Sequence, residues 1–106
     1  MKLIYKNNEY YLVKCNNFLK RLKGLSFKKK TDKIYVFYPC NSIHTMFMRF
    51  NIDVVITDKK YNILYYKKNI NKRKIITPIK HGYYTFEIPS HLNLNLDKEK
   101  KLVIKD

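Results

Sequence analysis

The feature that most constrains this chain is its punctuation. Short runs rich in β-branched and aromatic residues are broken at close intervals by Asn, Asp, Lys and Pro. Runs of this length are too short for ordinary helices, and their side chains suit the period-two geometry of strands. Lys2 to Lys6 and Glu9 to Lys14 form the first two runs. Asn7 and Asn8 lie between them and tolerate the left-handed backbone of a tight hairpin. Further strands are predicted over Ile34 to Tyr38, Ile43 to Phe50, Asp53 to Thr57, Ile63 to Lys67, Tyr83 to Ile88 and Leu102 to Ile104. Asp58 to Asn62 reads as a hairpin loop. Pro78 and Pro89 stand where strands should stop, and Ser90 is placed to cap a helical turn reaching Leu94.

The period changes once. Phe18, Leu22 and Leu25 fall on one helical stripe, with Asn16 or Asn17 as N-cap and Gly24 near the C-terminal end, which predicts a helix over about residues 17–24. Together these patterns predict a mainly β chain: a compact antiparallel β-sandwich or barrel-like single domain, residues 1–106, with one short α-helix.

A chain of 106 residues supports one core, and 45% hydrophobic and 15% aromatic residues supply it without a disulfide or a metal. No linker, repeat or low-complexity block divides it; the charge runs at Lys28 to Lys30 and Lys98 to Lys101 are short. The opening residues lack the apolar stretch of a secretory signal, and no run approaches the length of a membrane span. A cytoplasmic location is the expectation, with Cys15 and Cys40 as thiols. The formal net charge of +15 suggests a nucleic-acid or anionic-surface partner. Lysine, however, outnumbers arginine twenty to three, and arginine is the better bidentate reader of phosphate and guanine. A solvated lysine surface is therefore read ahead of a dedicated nucleic-acid site.

Two segments resemble the domain of unknown function 192 family. Phe18-Leu19-Lys20-Arg21-Leu22-Lys23-Gly24-Leu25-Ser26-Phe27 is similar to its opening signature. The stretch from Cys40 through His44, Met46, Met48, Arg49 and Asp53 to Asp58 is similar to its central motif. Pro78 with Tyr83 to Ile88 resembles its third block, and Leu102-Val103-Ile104 its closing strand, so the resemblance runs from about residue 12 to 104. The chain departs from the pattern at Lys20, Ser26 and Asn51, where an acidic residue, methionine and proline are usual. The resemblance implies a β-sandwich-like domain of bacterial or archaeal origin with no established activity.

Arg21 borders the apolar stripe of the predicted helix, so its guanidinium should lie against the core and need a carboxylate. Asp53 and Glu87 sit inside apolar runs and are the natural partners. A structural ion pair is the plainer reading of such a pair. Strand alternation from Ile43 to Phe50 puts His44, Met46 and Met48 on one face and Arg49 on the other; His44 reads first as a hydrogen-bonded core or rim histidine, and its functional reading is the floor of a small pocket with the methionines as walls. Cys40 and His44 are too far apart along extended chain to act as nucleophile and base. Two cysteines and three histidines lack the close spacing of metal sites, and two glycines cannot build a phosphate loop.

The expectation is thus a non-enzymatic module with no cofactor, no metal and no catalytic residue. It would bind a small molecule or a protein near Arg21, Cys40, His44, Arg49, Asp53 and Glu87. A nucleic-acid surface built on lysines and the paired tyrosines Tyr10-Tyr11, Tyr65-Tyr66 and Tyr83-Tyr84 is the alternative, and an enzyme of unrecognised chemistry is the third.

Overall fold

The computed structural model describes residues 1–15, 32–44, 50–71 and 75–106. Nine strands run in chain order: β1 Lys2–Tyr5, β2 Asn8–Cys15, β3 Ile34–Phe37, β4 Ile43–His44, β5 Ile52–Thr57, β6 Ile63–Ile70, β7 Ile75–Ile76, β8 Tyr84–Pro89 and β9 Val103–Lys105. Seven of them form one sheet in the order β6-β5-β8-β3-β2-β1-β9, and β4 and β7 form a separate antiparallel pair.

The opening hairpin forms as the sequence predicts, one residue earlier. Lys6 and Asn7 both have positive φ, 46° and 66°, as a type I′ turn demands, while Asn8 already pairs with Tyr5. The Asp58 loop is likewise built by its own residues. Asp58 Oδ1 accepts from the amides of Lys60 (2.9 Å) and Asn62 (3.0 Å), and its Oδ2 accepts from Asn62 Nδ2 (2.9 Å). The side-chain bond from Asn62 is the main cause that holds the Asp58 carboxyl below the usual range.

The all-antiparallel expectation needs correction, because β2 and β3 pair in parallel, Leu12 beside Ile34 through Cys15 beside Phe37. A parallel pair needs a crossover longer than a hairpin turn, and residues 16–33 supply that length. The predicted helix over 17–24 lies outside the described residues. Among the described residues the one helical element is a 3₁₀ turn, Ser90–Leu92. Ser90 does not cap that turn; Pro89 holds the N-cap position with no side-chain bond, and the Ser90 hydroxyl is spent elsewhere. The two-residue strand β7 was not foreseen, since two isoleucines carry no period.

The sheet curls into a half-barrel. Leu3 of β1 and Val55 of β5, with three strands between them, belong to one core cluster with Ile34, Val36, Phe86 and Ile88, which is possible only on a concave face. The two sheet edges approach at one end. Asn62 bridges Lys101, the Ile63 amide donates to Lys100 O at 2.9 Å, and the Leu102 amide donates to Tyr61 O at 3.0 Å. The remaining gap is stopped by residues 94–96. Leu94 and Leu96 drop into the inner core, while their backbone is tied to β6 by the Tyr66 hydroxyl and to β1 by the Tyr5 hydroxyl. A sheet so closed exposes less unpaired edge.

The convex face carries a second cluster, Ile52, Val54, Ile56, Ile70 and Ile76, so the β4–β7 pair packs outside the main sheet. β5 is therefore buried on both faces along its whole length. Gly82 marks the tightest approach there. A Cβ at this position would lie 2.8 Å from both Asn41 Cβ and Ile56 Cγ2, and 3.0 Å from the backbone oxygen of Ile79. Gly82→Ala is therefore expected to cost about 1–3 kcal/mol in a urea melt; an unchanged midpoint would show that the loop gives way without strain.

Candidate functional site

The register of β5 against β8 separates the two buried carboxylates. Asp53 pairs with Ile88 and shares the concave face with Val55 and Phe86, whereas Glu87 pairs with Val54 and shares the convex face with Ile52 and Ile56. Asp53 is 0% and Glu87 5% exposed. Glu87 lies beside Tyr35 across the strand pair, where burial foremost, then Cys15 and Glu87, push the Tyr35 phenol up. Cys40 belongs to the same convex side. Its carbonyl accepts from Thr85 Oγ1 at 2.8 Å, and its thiol donates to Ser42 O at 3.0 Å. His44 pairs with Ile75 in the β4–β7 sheet. Thus, among the predicted site residues, Cys40, His44 and Glu87 are carried by elements of one side of the sheet and Asp53 projects to the other. Arg21 and Arg49 lie outside the described residues, and so does the expected ion pair of Arg21.

Asp53 has a specific task. Between the pairs Ile52–Ile70 and Val54–Lys67, one residue of β5 faces two of β6, a β-bulge at Lys68 and Asn69. Asn69 takes the left-handed conformation (φ 54°), and its amide donates to Asp53 Oδ1 at 3.0 Å. The Ser90 hydroxyl donates to the same oxygen at 2.6 Å. One carboxylate thus fixes both the bulge and the start of the 3₁₀ turn through charge-assisted bonds. Its other oxygen is buried and has no hydrogen-bond partner among the described residues.

Asn69 and Ser90 are also two walls of a surface depression of about 460 Å³, completed by Phe50, Asn51, His91 and Asn93. The His91 ring meets Phe50 edge-on (6.3 Å between centroids), and its Nε2 lies 2.9 Å from Asp32 Oδ1. Asn93 also has positive φ, 58°, so two asparagines here are placed by backbone geometry rather than by packing. From the sequence, Ser90 is placed only as a cap, His91 is weighed only as one of three histidines without metal-site spacing, and Asn69 and Asn93 do not stand out. The usable signal was asparagine at strand and helix ends, where it signals a left-handed residue.

A second depression, about 630 Å³, opens at the other end of β5. It is lined by Asp58, Lys59, Lys60, Asn62, His81, Gly82 and Tyr83. Behind it tyrosines pack on one another. Tyr83 meets Tyr84 edge-on at 4.7 Å, and Tyr84 stacks on Tyr61 at 4.9 Å. Burial, and then the hydrogen bond with Tyr84, push the Tyr61 phenol from 10.0 up to about 12. The fold favours the neutral form. Its contribution to stability is complete below the unfolded value near pH 10 and is lost as the pH rises towards 12. Titration of phenolate absorbance is expected to show one tyrosine ionising near pH 12 in the wild type and the step missing in Tyr61→Phe; full ionisation by pH 11 would contradict the packing described.

Cys15 and Cys40 are thiols. Among the described residues no three His, Cys, Asp or Glu side chains gather as a metal site would require, and no helix is long and apolar enough to cross a membrane.

No family model matches the chain, and no curated protein matches it. Two crystal structures share the fold. A protein of unknown function from Novosphingobium aromaticivorans superposes with a TM-score of 0.75 at 10% identity, covering 99% of this chain and 82% of its own. A protein from Sinorhizobium meliloti, provisionally described as a transcription regulator, superposes with a TM-score of 0.72 at 14% identity, covering 96% and 89%. At these identities the likeness shows the fold alone.

Proposed function

We propose that this chain is a non-enzymatic binding module of the domain of unknown function 192 family, acting in the cytoplasm, and that it takes a small polar molecule into the depression above Asp53. The observation that carries this reading is the buried carboxylate of Asp53, whose one oxygen holds two of the lining residues in place. Buried charge is costly, and here it fixes the positions of exposed hydrogen-bonding groups rather than filling a core. Walls of this kind, set before the ligand arrives, lower the ordering cost of binding. The side-chain amides of Asn51, Asn69 and Asn93 offer both donors and acceptors, the Ser90 oxygen keeps lone pairs to accept with, and Phe50 and His91 offer a flat apolar flank. That combination suits an uncharged polyol, sugar or amide better than an ion. The motif resemblance supports the family, and the two structural neighbours support the fold on which it rests.

A thermal-shift panel of sugars, polyols and amides tests the reading. At a hundred times Kd, a true ligand stabilises by about 2.7 kcal/mol, a shift of about 10 °C for a domain of this size. His91→Ala and Asn51→Ala, which alter only the rim, are expected to abolish the shift while leaving the unliganded midpoint nearly unchanged. Stabilisation that survives both substitutions would move the binding site elsewhere.

A further inference from the structure

We infer that the depression at the Asp58–Asn62 turn is a separate site for a phosphorylated aromatic ligand, that is, a nucleotide unit, free or within a single strand. It lies at the opposite end of β5 from the depression above Asp53 and does not depend on it.

The charge balance of its walls comes first. Lys59, Lys60 and His81 face one carboxylate, Asp58, and that carboxylate is fully occupied inside its own turn by the Lys60 and Asn62 amides and Asn62 Nδ2. Among the described residues neither lysine is paired with an acid. Both ammonium groups are therefore available to an anion, in a chain whose formal charge of +15 draws anions from a distance.

The aromatic wall is the second, independent feature. Lys59 Nζ stands 5.2 Å from the centroid of Tyr83, so the ring presents a face to the depression and attracts a flat or cationic group. Tyr83 is held edge-on by Tyr84, which is stacked on Tyr61, and among the described residues Lys59 Nζ is the one cation over its face. A purine or pyrimidine can take the lysine's place over the ring while the ammonium moves to the phosphate. Stacking of this kind tolerates any base and contributes about 1–3 kcal/mol. Close contact of Gly82 with Asn41 and Ile56, together with the hydrogen-bonded turn, keeps the two walls at a fixed separation. A depression of about 630 Å³ is large enough for a nucleotide.

The test is an amide NMR titration of the folded chain with adenosine monophosphate, an eight-residue deoxyadenosine oligonucleotide and inorganic phosphate. The expected result is chemical-shift change confined to Lys59, Lys60, Gly82, Tyr83 and their neighbours, with inorganic phosphate binding at least tenfold more weakly than the mononucleotide. Lys60→Glu and Tyr83→Leu should each weaken nucleotide binding about tenfold or more, with the rest of the spectrum showing that both variants are folded. Tighter binding of the oligonucleotide, steeply reduced by salt, identifies a single strand as the source; equal affinity identifies a free nucleotide. The inference is overturned by phosphate matching the nucleotide, by shifts spread over lysines across the whole surface, by indifference to both substitutions, or by no shifts at all. Loss of this site would leave the response of the Asp53 depression to sugars and amides untouched.

Discussion

Phe86→Ala is expected to destabilise the chain by about 3–5 kcal/mol and to lower its melting temperature by about 15 °C or more. Phe86 is fully buried at the middle of β8, the strand that stands between β5 and β3, and it faces Val36 on one side and Val55 on the other. Removing its ring leaves a cavity between three strands that cannot collapse, because each is held by ladders on both sides. A domain of this size typically has 5–15 kcal/mol in all, so the variant should be marginally folded. Urea unfolding followed by circular dichroism reads the loss directly. A cost below about 1.5 kcal/mol would mean that the concave face is not the principal core.

Asp53→Ala is the second large effect, expected at about 3 kcal/mol, and it arises differently. The substitution removes no large volume; it takes the acceptor from two part-buried donors, the Asn69 amide in its bulge and the Ser90 hydroxyl. Asp53→Asn keeps one carbonyl acceptor at the same place and should lose about half as much, while Ser90→Ala, which takes away one donor, should cost about 1–2 kcal/mol. If alanine and asparagine were equally mild at position 53, the carboxylate would have no organising role.

How far the sequence could be read depends on the range of the physics involved. The opening hairpin and the Asp58 loop were legible because their conformations are set within five residues, by left-handed asparagine in one and by a carboxylate reaching its own turn in the other. β5 and β8 were legible because strands buried on both faces are nearly continuous apolar runs. The parallel pairing of β2 with β3 was not, since nothing in either strand records the direction of its neighbour. Nor was the closure of the half-barrel, which rests on tyrosine hydroxyls binding carbonyls ninety and twenty-eight residues away. The candidate site was half legible. Asp53 and Glu87 stood out as acids within apolar strands, and both are buried. Their assignment to one pocket depended on parity: an odd offset to Ile88 and to Val54 in the register places them on opposite faces, and register is not written in either strand alone.

One carboxylate holds a bulge and a turn beneath a polar depression, and amide hydrogen exchange at Asn69 measures that hold most directly. The amide sits in a bulge, with Asp53 Oδ1 as its acceptor. Protection of roughly a hundredfold or more over an unstructured chain, falling sharply in Asp53→Ala, which removes the acceptor, while Val55 and Phe86 remain protected, is the result the structure predicts. Exchange at the rate of an open loop in the wild type would show that Asp53 does not hold the bulge, and the depression above it would lose its claim to be a prepared site.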